Sequence, residues 1–412
     1  MRLRETEFTV SDEPMATRLR QFSGPTIFSE MTALAQETGA VNLGQGFPDS
    51  DGPPALLTAA RDAITAGHNQ YPPAVGVPQL RRQIAARRSA DHGVDYDPET
   101  EVVVTAGATE ALAAALIGLC DPGDEVLVFD PLYDSYNACV AMAGARVRPV
   151  PLSYDGERFT FDPERLRAAV GPKTKVLLLN SPHNPSGKVF DADELALIAE
   201  VCRDNDLVAV TDEVYEYLVF DGLPHISLAA LPGMRDRTIA ISSAGKTFSI
   251  TGWKVGWACG PAHLVGIVRT VKQYLTFGTG TPFQHAVGVA LRDDMGWVAG
   301  MRASLQHRRD MVTHSLAASG IDVLHTEGTY FIQFDSRSLG QSDGVTLCRL
   351  LARQAGVVAV PSVALYEDKA AGRHLVRLAF CKREQTLDTA TDLLSAYART
   401  IRADLGVTHT AG

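Results

Sequence analysis

Between about residues 100 and 260 short apolar runs alternate with longer segments of helical period, and that alternation limits the chain to few folds. The runs are Glu101 to Thr105, Glu125 to Phe129, Lys175 to Leu179, Leu207 to Thr211, Thr238 to Ile241 and Val255 to Cys259. Each reads as a strand buried on both faces. Helical segments such as Ala108 to Cys120 and Asp191 to Asp204 lie between them. The pattern predicts an α/β protein whose mainly parallel sheet is covered by helices on both faces. After about residue 290 a helical stretch from Trp297 to Ser319 leads into shorter strands at Tyr330 to Phe334, Val357 to Val360 and Leu375 to Phe380. That reads as a smaller α+β domain.

A chain of 412 residues, 45% hydrophobic and 21% charged, is long enough for roughly two or three domain-sized units. A net charge of −10 and a pI of 5.6 argue against nucleic acid or an anionic membrane as the main partner. The longest apolar run, Ala111 to Leu119, is too short for a membrane span of about 20 residues. Met1 to Arg20 lacks the apolar stretch of a signal peptide. The six cysteines, Cys120, Cys139, Cys202, Cys259, Cys348 and Cys381, show neither a C-x-x-C pair nor metal-ligand spacing. They read as reduced thiols of a cytoplasmic protein, and no metal site is expected. Met15-Ala16-Thr17 has the look of a natural start, so residues 1–14 are expected to be a disordered extension or a start-site artefact.

In sheets of this kind ligands gather at the carboxyl ends of the strands. The polar clusters fall there: Gly107-Ala108-Thr109, Tyr133, Asn184, Asp212 and Lys246 follow successive strands. Lys246 stands in a turn of small residues, and a lysine held there can form a Schiff base with an aldehyde cofactor. Lys254, further along the same motif, is placed to pair with an anionic group of that ligand. Gly107-Ala108-Thr109 opens a helix, so its free N–H groups and the helix dipole suit a phosphate; the alternative is an ordinary βα turn with Thr109 near an N-cap. Asp212, just past a hydrophobic strand, is costly to bury without a cation or a protonated ring nitrogen beside it. Its alternative is a helix N-cap, with Tyr215 a core aromatic rather than a donor to a ring hydroxylate. Asn184 lies in a loop stiffened by two prolines, and His183 beside it reads as solvent-exposed or structural. Arg377, in an apolar strand, needs an anion: a substrate α-carboxylate or a structural ion-pair partner. Gly245-Lys246-Thr247 also ends a Walker A pattern, but Ala240 stands where that pattern needs its first glycine.

Taken together the motifs resemble the fold-type I, aspartate-aminotransferase superfamily of pyridoxal-phosphate enzymes, and within it the kynurenine aminotransferase and glutamine transaminase K branch. The resemblance runs from about Phe22 to Asp388 and rests on Val41 to Asp49, Asn69-Gln70-Tyr71, Gly107 to Ala111, Ser181 to Gly187, Thr211 to Tyr215 and Ser242 to Gly256. Asn69 to Pro73 and Val94 to Glu101 also resemble actinobacterial members described as succinyldiaminopimelate aminotransferases. The resemblance implies a seven-stranded sheet and a division into an N-terminal extension (1–20), a segment packing with the small domain (21–48), a large cofactor-binding domain (49–290), a small domain (291–405) and a tail (406–412). It implies pyridoxal 5′-phosphate as cofactor, with Lys246 as covalent anchor and proton carrier, Asp212 on the pyridine nitrogen, and Asn184 and Tyr215 on the ring oxygen. Gly107, Ala108, Thr109, Ser243 and Lys254 would hold the phosphate, Tyr133 would stack on the ring, and Tyr71 would reach the neighbouring subunit's phosphate, which implies a homodimer. Arg377, Gly46 and Asn184 would bind the α-carboxylate.

Phe28 stands where kynurenine-active relatives carry tryptophan, and the loop Phe277 to Thr281 is one residue longer than its equivalent; both count against kynurenine as substrate. Phe28, Tyr133, Phe277 and Tyr330 suggest a pocket for large neutral, sulfur-containing or aromatic amino acids, with a 2-oxo acid such as 2-oxoglutarate as acceptor. A succinyldiaminopimelate aminotransferase and a cysteine-conjugate β-lyase are the rival readings. A transcription regulator is disfavoured, because only about 20 residues precede the matched region.

Overall fold

The computed structural model describes residues 15–404. The expectation for residues 1–14 and the whole of the expected tail (406–412) lie outside that range. Within it Thr17–Phe22, from the segment expected to be a flexible extension, forms a 3-10 turn packed against the Asp134–Met142 helix. No helix among the described residues is long and apolar enough to cross a membrane.

The strands, in chain order, are β1 (Val41–Asn42), β2 (Val102–Ala106), β3 (Glu125–Asp130), β4 (Arg146–Tyr154), β5 (Phe159–Phe161), β6 (Thr174–Asn180) and β7 (Val208–Asp212). They continue with β8 (Thr238–Ser243), β9 (Val255–Cys259), β10 (Val323–Leu324), β11 (Phe331–Asp335), β12 (Val357–Val358), β13 (Val360–Pro361) and β14 (Leu375–Ala379). The large sheet has the order β2-β9-β8-β7-β6-β3-β4-β5. Strands β3, β4, β6, β7 and β8 are parallel, while β9 runs against both β2 and β8. The expected seven strands are present, and an eighth, β5, pairs antiparallel with Leu152 to Tyr154.

Alternate side chains of β3 explain why these strands read as continuously apolar. Val126 and Val128 pack with Ala111 and Leu116 on one face, and Leu127 and Phe129 with Phe190 and Ile198 on the other. The Ala192–Asp204 helix is started by a capping box: Asp191 accepts from the Glu194 N–H, and Glu194 accepts from that of Asp191. Strand β4 escaped the sequence reading because Arg146, Arg148, Pro149 and Pro151 break its apolar run. Prolines are tolerated there because only its last three residues are paired on the outer side.

The second sheet is antiparallel, β10-β11-β14-β13, and β1 pairs separately with β12. The single strand expected over Val357 to Val360 therefore divides between two sheets. Pro361, which has no N–H to offer, closes β13 at a sheet edge. The Met295–Ala318 helix lies where the long helical period was read.

Candidate active site

Strand β8 ends at Ser243, and a single helical turn, Ala244–Thr247, carries Lys246 to the carboxyl edge of the sheet. Its Nζ donates to Tyr330 Oη at 2.6 Å and to the Gly46 carbonyl at 3.4 Å; the Tyr330 hydroxyl in turn donates to that carbonyl at 2.6 Å. Burial lowers the amine to about 8, against the opposing influence of Cys381 and Asp212.

Asp212 ends β7 and is 4% exposed. The Tyr136 hydroxyl donates to its Oδ2 at 2.7 Å, and the Val214 N–H to its Oδ1 at 3.3 Å. Burial raises the carboxyl to about 6, although both hydrogen bonds pull it down. No helix begins at Asp212, so the N-cap alternative falls. Asn180 ties the neighbouring strand end to this one, its amide donating to the Asp212 carbonyl at 2.9 Å and its Oδ1 accepting from the Asn184 N–H at 2.7 Å. Tyr215 is buried edge-on to Tyr330, and burial pushes its phenol well up. Tyr136 went unread in the sequence; its signal was the spacing Tyr133-Asp134-Ser135-Tyr136, which sets both tyrosines at one helix entry.

At the opposite wall Gly107 has φ +75°, and a Cβ on it would come within 3.3 Å of Lys254 Nζ. A Cβ on Gly256 would lie 2.5 Å from the Gly107 carbonyl carbon and 2.7 Å from the Ala108 nitrogen, so glycine there lets β9 press against the turn. The helix opens at Gly107 with no side-chain cap, so Thr109 is not its N-cap; instead Glu110 accepts from the Ala106 N–H at 2.6 Å. Among the described residues the Lys254 ammonium makes no hydrogen bond. Lys246, Asp212, Tyr215, Gly107, Ala108, Thr109, Ser243 and Lys254 surround one cavity of about 370 Å³, with Tyr133, Asn184, Gly46, Phe28 and Arg377 completing the wall.

Arg377 donates to Asn184 Oδ1 at 3.0 Å and to the Gly44 carbonyl at 3.4 Å, and stacks 4.1 Å from the Phe331 ring and 5.4 Å from that of Phe28. Among the described residues it forms no ion pair, its buried Nε has no hydrogen-bond partner, and burial lowers the guanidinium to about 10. The structural ion-pair alternative is therefore not what holds it.

Two sequence readings change, those of Phe277 and Tyr330, while Tyr71 and His183 take places that their readings allowed. Phe277 is not brought to the cavity: Lys272 holds its carbonyl at 2.5 Å and that of Ala74 at 2.9 Å, which keeps the loop on the surface. Tyr71, 85% exposed, packs edge-on to Phe277 there and lies away from its own chain's cavity. Tyr330 is not on the open substrate side, because its hydroxyl ties Lys246 to Gly46. His183 is buried and structural, bonded to Ser186 Oγ at 2.7 Å and lowered to about 3 by burial. Behind Asp212, His92, Glu213 and His225 bring ligand-type atoms within 4.8 Å of one another. Arg88 already supplies positive charge there, 2.7 Å from Glu213 and 3.1 Å from Glu216.

A chain described as the probable N-succinyldiaminopimelate aminotransferase DapC of Mycobacterium tuberculosis is 54% identical, over 93% of this chain and 98% of that one. Kynurenine–oxoglutarate transaminase 3 of Mus musculus is 36% identical over 90% and 88%. The solved structure of N-succinyldiaminopimelate aminotransferase from Mycobacterium tuberculosis superposes with a TM-score of 0.91, covering 93% of this chain and all (100%) of that one. The family model for aminotransferase class I and II matches residues 38–394, and the chain belongs to that family and is an aminotransferase.

Proposed function

We propose that this aminotransferase uses pyridoxal 5′-phosphate, held in the 370 Å³ cavity, to move the amino group of an L-amino acid to a 2-oxo acid by a ping-pong mechanism. The observation that carries the reading is the unmet charge around that one cavity. Its lining holds a buried carboxylate without a cationic hydrogen-bond partner, an ammonium beside a glycine-lined helix start, and a buried arginine without an ion pair among the described residues. Those features fit the cofactor's pyridine nitrogen, its phosphate and the substrate carboxylate. When bound, pyridoxal phosphate supplies a conjugated electron sink that makes the substrate Cα–H acidic.

The protein's own groups do the rest. Asp212, ionised, would keep the pyridine nitrogen protonated. Tyr215 and the Asn184 amide would serve the ring oxygen, Tyr133 would pack on the ring, and Gly107, Ala108, Thr109, Ser243 and Lys254 would hold the phosphate. Arg377, stiffened by Phe331 and Asn184, orients the α-carboxylate with help from Gly46. Lys246 moves the proton at Cα. Lowering its amine from 10.5 to about 8 raises the neutral fraction near neutral pH roughly a few hundredfold.

For the donor we favour a large side chain that is neutral where it meets the cavity. Phe28, Phe47 and Phe331 line it, and among the described lining residues the cations are Lys246, Lys254 and Arg377. The 54% identical relative favours a second reading, N-succinyldiaminopimelate as the donor. A homodimer with shared sites is supported by exposed Tyr71 and Phe277 and by Tyr274, 83% exposed, on the adjoining helix. Six free, buried thiols support a cytoplasmic location. The test is a panel of methionine, phenylalanine, glutamine, kynurenine and N-succinyldiaminopimelate with 2-oxoglutarate, and sedimentation for the dimer. Wild-type protein that never binds pyridoxal phosphate would sink the proposal, and pyruvate and ammonia released without an oxo acid would mark a β-lyase.

A further inference from the structure

A second cavity, of about 300 Å³, lies on the far side of Lys246 and Tyr330 from the first. Its long wall is one face of the Met295–Ala318 helix. Trp297, Met301, Ser304, Leu305 and Arg308 follow one another at helical spacing, so an apolar strip runs toward a guanidinium. Across from that strip the Ser249 hydroxyl meets Met301 Sδ at 3.3 Å, and Ser249 itself sits at φ +55°, a left-handed conformation unusual for serine. The turn that carries Lys246 thus leans on the helix at one point and leaves the rest of the gap open.

The arginine is underused. Among the described residues Arg308 makes no hydrogen bond, its Nε is buried without a partner, and its ionic contact, Glu384, stands off at 4.0 Å. A buried guanidinium N–H without an acceptor costs free energy that a carboxylate would recover. A cavity of this size is at the small end of those that hold organic ligands, and its apolar strip with one convergent cation is the usual composition of such sites.

We propose that this cavity is a binding site for a small apolar carboxylic acid, its carboxylate on Arg308 and its hydrocarbon body against Trp297, Met301 and Leu305. A ligand there lies outside the cavity that faces Arg377, and the lining residue that the two cavities have in common is Lys246. Binding is read by heat rather than turnover, so its outcome is independent of the transaminase reading.

The probe is 3-phenylpropionate, which carries neither an amino nor an oxo group, titrated calorimetrically into purified protein supplied with pyridoxal phosphate. Arg377→Met removes the carboxylate site of the first cavity, so binding that survives this substitution reports the second. Gly300→Leu fills the second cavity without disturbing the helix, since a Cβ at Gly300 meets nothing within 4 Å. The expected result is a binding event that persists in Arg377→Met and is weakened tenfold or more by both Gly300→Leu and Arg308→Met. The proposal is overturned if all binding disappears in Arg377→Met, if the surviving event is unchanged in the other two variants, or if wild type binds nothing up to millimolar probe.

Discussion

Removing the Tyr136 hydroxyl should make cofactor binding sensitive to pH in a range where the wild type is not. The hydroxyl donates to Asp212 Oδ2 at 2.7 Å, with both side chains buried. A hydrogen bond to a charged group is worth about 1.5–3 kcal/mol, or roughly one to two pKa units. It favours the ionised carboxylate, so Tyr136→Phe raises Asp212 in the cofactor-free protein from about 6 to roughly 7–8. Asp212 must be ionised to pair with a protonated pyridine nitrogen. Above both values it is already ionised in wild type and variant, and the ratio of their dissociation constants for pyridoxal phosphate stays near one. As pH falls through the variant's raised value the ratio grows, levelling at roughly 10–100 below the wild-type value. Spectroscopic titration with pyridoxal phosphate between about pH 5 and pH 9 measures it. A ratio that stays flat across the range would refute both the assignment of Asp212 to the ring nitrogen and the role of Tyr136 in setting its acidity.

Lys246→Ala should fold and retain pyridoxal phosphate more weakly, lose the absorption of the lysine-bound cofactor, and transaminate at least about 10²–10⁴-fold more slowly, as stopped assays would show. Arg377→Lys keeps the charge but not the planar fork, and is expected to raise KM for the amino donor by roughly 10–100-fold with a smaller change in kcat. Gly256→Ala places a methyl 2.5 Å from the Gly107 carbonyl carbon; thermal unfolding should report a loss of about 1–3 kcal/mol, together with weaker cofactor binding from the displaced turn. Arg88→Met leaves Glu213 and Glu216 buried without their cation, and denaturation at neutral pH should show a cost of about 3–5 kcal/mol that shrinks as acid protonates the pair. The sign follows from Glu213 and Glu216, both held below the ordinary carboxylate value in the wild type despite the burial that opposes this, with Arg88 the largest lowering influence on Glu213 and His92 on Glu216.

Much of the site was legible because its anchors are local. A residue that ends a buried parallel strand faces the carboxyl edge of the sheet whatever the loops do, so Gly107, Asp212 and Lys246 could be placed from strand ends alone. Loops and partnered side chains were less legible. Phe277 has the residue type of a substrate-pocket wall, but its place depends on a contact between Lys272 and Ala74, 198 positions apart. Tyr330 looked like a pocket aromatic until its hydroxyl was found between Lys246 and Gly46.

By itself the sequence determined six strands of the large sheet, its mainly parallel character and the edge where chemistry gathers, because hydrophobic period and strand-end chemistry act over a few residues. The tertiary structure decided what each anchor touches. Tyr136 meets Asp212 across 76 positions and Arg377 meets Asn184 across 193. No local pattern encodes such pairings. They follow from how β7, β14 and the Asp134–Met142 helix pack, and burial then moves Asp212 toward neutrality and Lys246 toward its neutral amine.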